Sequence, residues 1–277
     1  MIHKIIDIIC EYENAGITKP DYQPKMHTYI LENYAEMQPD LKRPAVIICP
    51  GGGYGFTSAR EGEHIAIRMN AYGFNAFILK YSCEPGNFPA PQLELAKAVS
   101  IVRENASAWN IDTKRIVVAG FSAGGHLAAS LGVFWNKKIL STALSLPPES
   151  IRPNALLLCY PVISSGEFAH KGSFQALLGD KHDELLDSVS LEKHVDAQTP
   201  PSFLWHTSED DCVPVENSLL FSMALRKQKI PFELHIYRNG GHGLSAANEE
   251  TMNAEGWGIQ KECQNWIEMA ATWIRGL

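Results

Sequence analysis

The sequence predicts an α/β architecture, with a mostly parallel central sheet flanked by helices and a small lid inserted late in the chain. Three observations predict it. From Pro44 onward, short apolar runs alternate with stretches of helical periodicity, the pattern of βαβ units around a parallel sheet. The runs at 45–49 and 155–160 are apolar almost throughout, as strands buried on both faces of such a sheet must be. The 277 residues contain no linker long enough to divide them, so one domain spanning 1–277 is expected.

Each element has its own signal. The N-terminal run Met1-Ile2-His3-Lys4-Ile5-Ile6 is interrupted by Asp7 and followed by Glu11 and Glu13 without a small-residue cleavage site, so it reads as a first strand and not as a signal peptide. With a second strand around 26–31 it supplies an antiparallel sheet edge. A strand at 45–49 is closed by Pro50 and three glycines, then come a helix at 61–71 and a strand at 75–80. Leu95, Ala98, Val99, Val102 and Ala106 recur at helical spacing, which predicts a helix over 91–108. A strand at 115–119, a Gly-flanked turn, a helix at 126–134 and a strand at 155–160 follow. Residues 161–200 break the rhythm with mixed polar and aromatic residues, and the lid is placed there, over the sheet's carboxyl edge. The alternation resumes with strands at 202–206 and 232–237 and helices at 215–227 and 254–275.

Composition narrows the function classes. A net charge of −7 with no long basic run argues against a nucleic-acid partner. No stretch approaches membrane-spanning length, so no membrane partner is expected. The six cysteines stand singly, mostly in apolar contexts and without ligand spacing, which fits reduced thiols in a cytoplasmic protein. His182 beside Asp180 and Asp183 is a surface-type charge cluster, so neither a metal nor a cofactor is expected.

The chemistry centres on Gly120-Phe121-Ser122-Ala123-Gly124. A serine hydroxyl becomes a nucleophile only when its geometry exposes it and a base takes its proton. A β-branched strand ends just before this segment and a helical run starts just after it, and a tight strand-to-helix turn needs neighbours without side chains. An oxyanion needs backbone N–H donors. Ala123, next after the serine, supplies one; Gly52 and Gly53, in the loop Pro50-Gly51-Gly52-Gly53-Tyr54, are the other candidates. That loop lacks the Gly-Lys-Ser/Thr of a phosphate loop. The base is expected at His242, between glycines just after the strand at 232–237. His126 is the rival by proximity, but it lies inside a helix and reads as structural. The orienting acid belongs in Glu209-Asp210-Asp211, where spacing alone does not separate Asp210 from Asp211. Tyr54, Phe56 and Tyr81 are candidate pocket walls.

These residues carry a resemblance. Cys49-Pro50-Gly51-Gly52-Gly53-Tyr54, Arg60-Glu61-Gly62-Glu63, the serine segment through Ala128, and Val213-Pro214-Val215-Glu216-Asn217-Ser218 together resemble the α/β-hydrolase esterases of the acetyl-xylan-esterase and lipase-like group, relatives of the hormone-sensitive-lipase and dipeptidyl-peptidase-type hydrolases. It runs from residue 47 to the C-terminus. In similar proteins the acid stands four positions before the proline, which here is Asp210. One departure is Pro50, where lipase-like members often carry His. The resemblance implies a Ser122-Asp210-His242 triad acting on a small-molecule ester with a short acyl group, such as an acetylated sugar. A serine aminopeptidase or amidase on the same scaffold, or a silent binding protein, is the alternative, and a homo-oligomer remains open.

Overall fold

A computed structural model describes residues 1–84 and 88–277. Its centre is an eight-stranded sheet: β1 (Ile5–Asp7), β2 (Lys25–Tyr29), β3 (Arg43–Cys49), β4 (Asn75–Lys80), β5 (Ile111–Phe121), β6 (Ala155–Cys159), β7 (Ser202–Thr207) and β8 (Phe232–Tyr237). The spatial order is β1-β2-β4-β3-β5-β6-β7-β8. β2 pairs antiparallel with both β1 and β4, and every other pairing is parallel, so β2 alone runs against the rest.

The helices are α1 (Glu63–Ala71), α2 (Ala90–Glu104), α3 (Ala123–Phe134), α4 (Lys138–Leu144), α5 (Pro148–Ile151), α6 (Lys171–Leu178), α7 (His182–Leu185), α8 (Glu216–Lys227) and α9 (Trp266–Arg275). Alternation along each strand sends successive side chains to opposite faces. Ile47, Val118, Leu158 and Leu204 pack on one face with Leu95 and Val99 of α2, Leu127 of α3 and Phe221 of α8. Val46, Ile48, Val117 and Phe203 pack on the other with Ile65 of α1 and Trp266 and Ala270 of α9. Burial on both faces explains why these strands read as continuous apolar runs.

Several boundaries differ from the sequence expectation. α3 begins at Ala123 and not at 126, because Gly124 and Gly125 belong to its tightly packed first turn. The expected helix at 254–275 is helical only from Trp266. Ahead of it, Asn253 accepts hydrogen bonds from the N–H groups of Glu255 and Trp257, and Gly256 and Gly258 sit at φ 82° and 109°, which folds that stretch into a loop. α4 and α5 add two short helices between the expected helix at 126–134 and strand at 155–160. Residues 161–200 hold α6, α7 and short 3₁₀ turns.

Of the six cysteines, all free thiols, Cys10, Cys49, Cys159 and Cys263 are buried, Cys83 is half-buried and Cys212 is exposed. No helix among the described residues is long and apolar enough to cross a membrane. A buried carboxylate ties the N-terminal segment to the sheet: Glu94 of α2 accepts hydrogen bonds from the Tyr12 hydroxyl and from the N–H and hydroxyl of Ser82. Burial, offset in part by those hydrogen bonds, raises its pKa to about 7.

Candidate active site

Ser122 stands alone between the end of β5 and the start of α3, at φ 53° and ψ −121°. A side-chain-bearing residue rarely adopts this conformation, and it persists here because neighbours fix both sides of the residue. The Ser122 N–H donates to the Cys159 carbonyl at 3.0 Å, while its carbonyl accepts from the N–H groups of Gly125, His126 and Val162. The flanking glycines are sterically required. A Cβ on Gly120 would lie 2.1 Å from the Gly124 carbonyl oxygen, and one on Gly124 would lie 2.1 Å from that of Cys49.

His242 and Asp210 reach this serine from the loops after β8 and β7. Nε2 of His242 lies 2.7 Å from Ser122 Oγ, and Nδ1 lies 2.7 Å from Asp210 Oδ2. A carboxylate only accepts, so Nδ1 carries the proton and Nε2 is left to accept from the serine hydroxyl. Asp210 is buried, and its Oδ1 accepts from the N–H groups of Cys212 and Val213. Glu209 and Asp211 on either side are exposed. Burial opposes the Asp210 charge. Hydrogen bonds from His206 and His242, the attraction of His242 and the Val213 N–H outweigh it and hold the carboxyl well below the usual range.

The glycine loop lies directly against the serine turn. A Cβ on Gly51 would sit 2.9 Å from Ser122 Cβ, and one on Gly52, at φ 123°, would sit 2.2 Å from the Phe56 carbonyl oxygen. Among the described residues, the backbone N–H groups of Gly52 and Gly53 form no hydrogen bond. Ala123 opens α3, where a backbone N–H has no intrahelical acceptor. Gly52, Gly53, Phe56, Ser122, His170 and His242 all line one cavity of about 390 Å³.

Of the three aromatics expected in the pocket wall, Phe56 lines this cavity and is 64% exposed. Tyr54 and Tyr81 do not. Both are buried with their hydroxyls engaged, Tyr54 donating to His126 Nδ1 at 2.9 Å and Tyr81 to the Pro50 carbonyl at 2.6 Å. A φ of 63° turns Tyr54 out of the loop's path and into the interior. His126 itself is fully buried. Its Nε2 donates to the Val189 carbonyl, and burial, partly offset by that bond, lowers its pKa to about 4.

Other residues at the site escaped the sequence argument. His206, at the end of β7, places Nε2 between the Val213 carbonyl at 2.9 Å and Asp210 Oδ2 at 3.2 Å, so Asp210 is held by two imidazoles. His170, from the 161–200 segment, lines the cavity with Nδ1 held 2.8 Å from Ser173 Oγ. Glu61 and Tyr160 are both buried, and Glu61 lines the cavity beside the glycine loop. Only Arg60-Glu61-Gly62-Glu63 left a visible motif, and it carried no indication of role.

The BD-FAE family matches residues 31–225 of this sequence. The chain belongs to the BD-FAE family. It is 42% identical over 223 residues to endo-1,4-beta-xylanase B of Butyrivibrio fibrisolvens, covering 79% of this chain and 35% of that protein. It is 33% identical over 207 residues to an acetylxylan esterase of Xylanibacter ruminicola, covering 72% of this chain and 41% of that protein. The chain thus spans well under half the length of these curated relatives. An acetyl ester-xyloside bifunctional hydrolase from Caldicellulosiruptor lactoaceticus superposes with a TM-score of 0.84 at 38% identity, covering 99% of this chain and 96% of that one. The architecture of this BD-FAE member is that of the α/β-hydrolases.

Proposed function

We propose that this BD-FAE member is a serine esterase that hydrolyses short-chain carboxylic esters, with acetyl esters of xylo-oligosaccharides as the favoured substrate class. The observation that carries the proposal is the hydrogen-bonded line Ser122 Oγ–His242–Asp210, with 2.7 Å at each step, set beside a glycine loop in which the Gly52 and Gly53 N–H groups have no partner among the described residues. The sugar-acetyl preference is supported by the named activities of the acetylxylan esterase and bifunctional hydrolase relatives.

In the proposed reaction, Nε2 of His242 takes the Ser122 proton as Oγ attacks the ester carbonyl carbon. The carbonyl electron pair moves to oxygen, where the N–H groups of Gly52, Gly53 and Ala123 receive it. Collapse expels the alcohol, which takes its proton from His242, and leaves an acyl group on Ser122. Water, deprotonated by His242, attacks this acyl-enzyme, and the carboxylic acid departs as Ser122 regains its proton. Asp210 holds the Nδ1–H tautomer throughout and stabilises the imidazolium. We assign 161–200 the part of a lid, supported by His170 in the cavity wall and by the tether from Val189 to His126.

Ser122→Ala tests the proposal. It is expected to abolish both hydrolysis of p-nitrophenyl acetate and covalent labelling by a fluorophosphonate; labelling that persists in the variant would refute the assignment. In a series of p-nitrophenyl esters run beside acetylated xylo-oligosaccharides, kcat/KM is expected to fall as the acyl chain lengthens.

A further inference from the structure

Beside the glycine loop, in the wall of the catalytic cavity, lies a carboxylate that the proposed reaction does not use. Glu61 is 4% exposed. Its Oε2 accepts from the Gly51 N–H at 2.7 Å, and its Oε1 accepts from the Tyr160 hydroxyl at 2.7 Å. That hydroxyl oxygen in turn accepts from the N–H of Ser245 at 2.9 Å. Gly51 is the residue before Gly52 and Gly53, the two candidate oxyanion donors, and Ser245 lies three residues beyond His242. The Tyr160 ring also meets the His242 imidazole edge-on, with centroids 5.2 Å apart.

From this geometry we infer that Glu61 is a positioning residue that clamps the glycine loop and the histidine loop to each other through Tyr160, an inference that rests on the esterase assignment above. The two loops leave different strands, β3 and β8, which lie far apart in the sheet order, so no ladder hydrogen bond sets their spacing. The clamp does. A second fastening runs alongside it, from the Ser245 hydroxyl to the carbonyl of Arg60, the residue before Glu61, at 2.6 Å. Trp266 Nε1 holds the Ser245 carbonyl at 2.8 Å.

The chemistry requires an acceptor at both oxygens. Gly51 offers only an N–H. The Tyr160 oxygen already accepts from Ser245, so its proton must go to Glu61. A glutamine of the same shape would place an amide N–H against one of these donors. Burial raises the Glu61 pKa, and the hydrogen bonds from the Tyr160 hydroxyl and the Gly51 N–H oppose that rise. Since the clamp acts on groups that meet the developing oxyanion and the imidazolium, its loss should appear in kcat and leave KM little changed.

The test compares Glu61→Gln, Tyr160→Phe and the double variant with the parent, using p-nitrophenyl acetate and active sites counted by fluorophosphonate titration. Glu61→Gln is expected to lower kcat per titrated site by about 100-fold, the scale of an ångström-sized misplacement. Tyr160→Phe, which keeps the ring against His242 and removes only the bridging hydroxyl, is expected to lower kcat by less. The double variant should be no worse than Glu61→Gln alone, because both changes break one connection. An unchanged kcat per titrated site, with only the folded fraction or melting temperature reduced, would make Glu61 a purely structural residue and overturn the inference. So would additive losses. Ser122→Ala keeps the two claims apart: hydrolysis surviving in that variant overturns the esterase assignment and the clamp together, whereas a dead Ser122→Ala beside a fully active Glu61→Gln overturns the clamp alone.

Discussion

Asp210 shows how much of the site lies in hydrogen bonds that a sequence does not display. Its neighbour Asp211 has the same charge and loop, and spacing treats the two alike. What distinguishes them is that Asp210 turns inward, where Cys212 N–H, Val213 N–H, His206 and His242 all donate to it. Asp210→Asn would keep the shape but present an N–H to His242 and favour the wrong tautomer, with kcat expected to fall by about 10⁴-fold and the melting temperature to fall as well, because four donors lose their charged acceptor. Steady-state kinetics beside a thermal scan checks both halves. Ser122 and His242 were legible because glycine spacing and chain order leave a linear trace. Tyr54 and Tyr81 misled because an aromatic beside a glycine loop looks the same in sequence whether it faces the cavity or the core. The roles of His206 and Glu61 left no trace because Asp210 and Val213 for the one, and Gly51 and Tyr160 for the other, meet them only in the folded chain.

At the scale of elements, β3, β6 and β7 are legible because burial on both faces writes itself as uninterrupted apolar runs. By contrast, β5 begins at Ile111, ahead of the expected 115, a start hidden because the residues just after Ile111 are polar and largely exposed. The helix ends were read less well, because a glycine in sequence does not reveal whether it breaks a helix or permits close packing. Gly124 and Gly256 are the two cases. A Cβ at Gly124 collides with the end of β3, whereas Gly256 has open space and only a left-handed backbone to satisfy. Gly256→Ala is therefore expected to cost about 1 kcal/mol from backbone strain alone. Gly124→Ala should cost about 3 kcal/mol, the upper part of the overpacking range, and should also displace Ser122. Urea denaturation midpoints with fluorophosphonate labelling rates separate the two: Gly256→Ala should label at the parent rate and Gly124→Ala should not.

Across the whole molecule, the sheet order brings the ends of β3, β5, β6, β7 and β8 to one edge, which is why five segments distant in sequence share a cavity. The alternation of runs and helices made that edge foreseeable, but not α4, α5 or the loop before α9, whose forms depend on capping and packing. The tether from His126 to Tyr54 and Val189 has a bearing on acid tolerance. The unfolded chain protonates His126 near its ordinary value of 6.5, but the folded chain resists until about 4, so folding stability drains away as pH falls through that window. Glu94 works in the opposite sense: the unfolded chain releases its proton near 4.5 and the folded chain keeps it to about 7, so stability is lost as pH rises. Each swing is roughly 3 kcal/mol. Relative to the parent, Glu94→Gln should make the urea midpoint climb from pH 4.5 to 6.5, and His126→Gln should make it decline over the same range. Left intact, the two buried groups act as opposing counterweights, so neither tips the fold across mildly acidic surroundings.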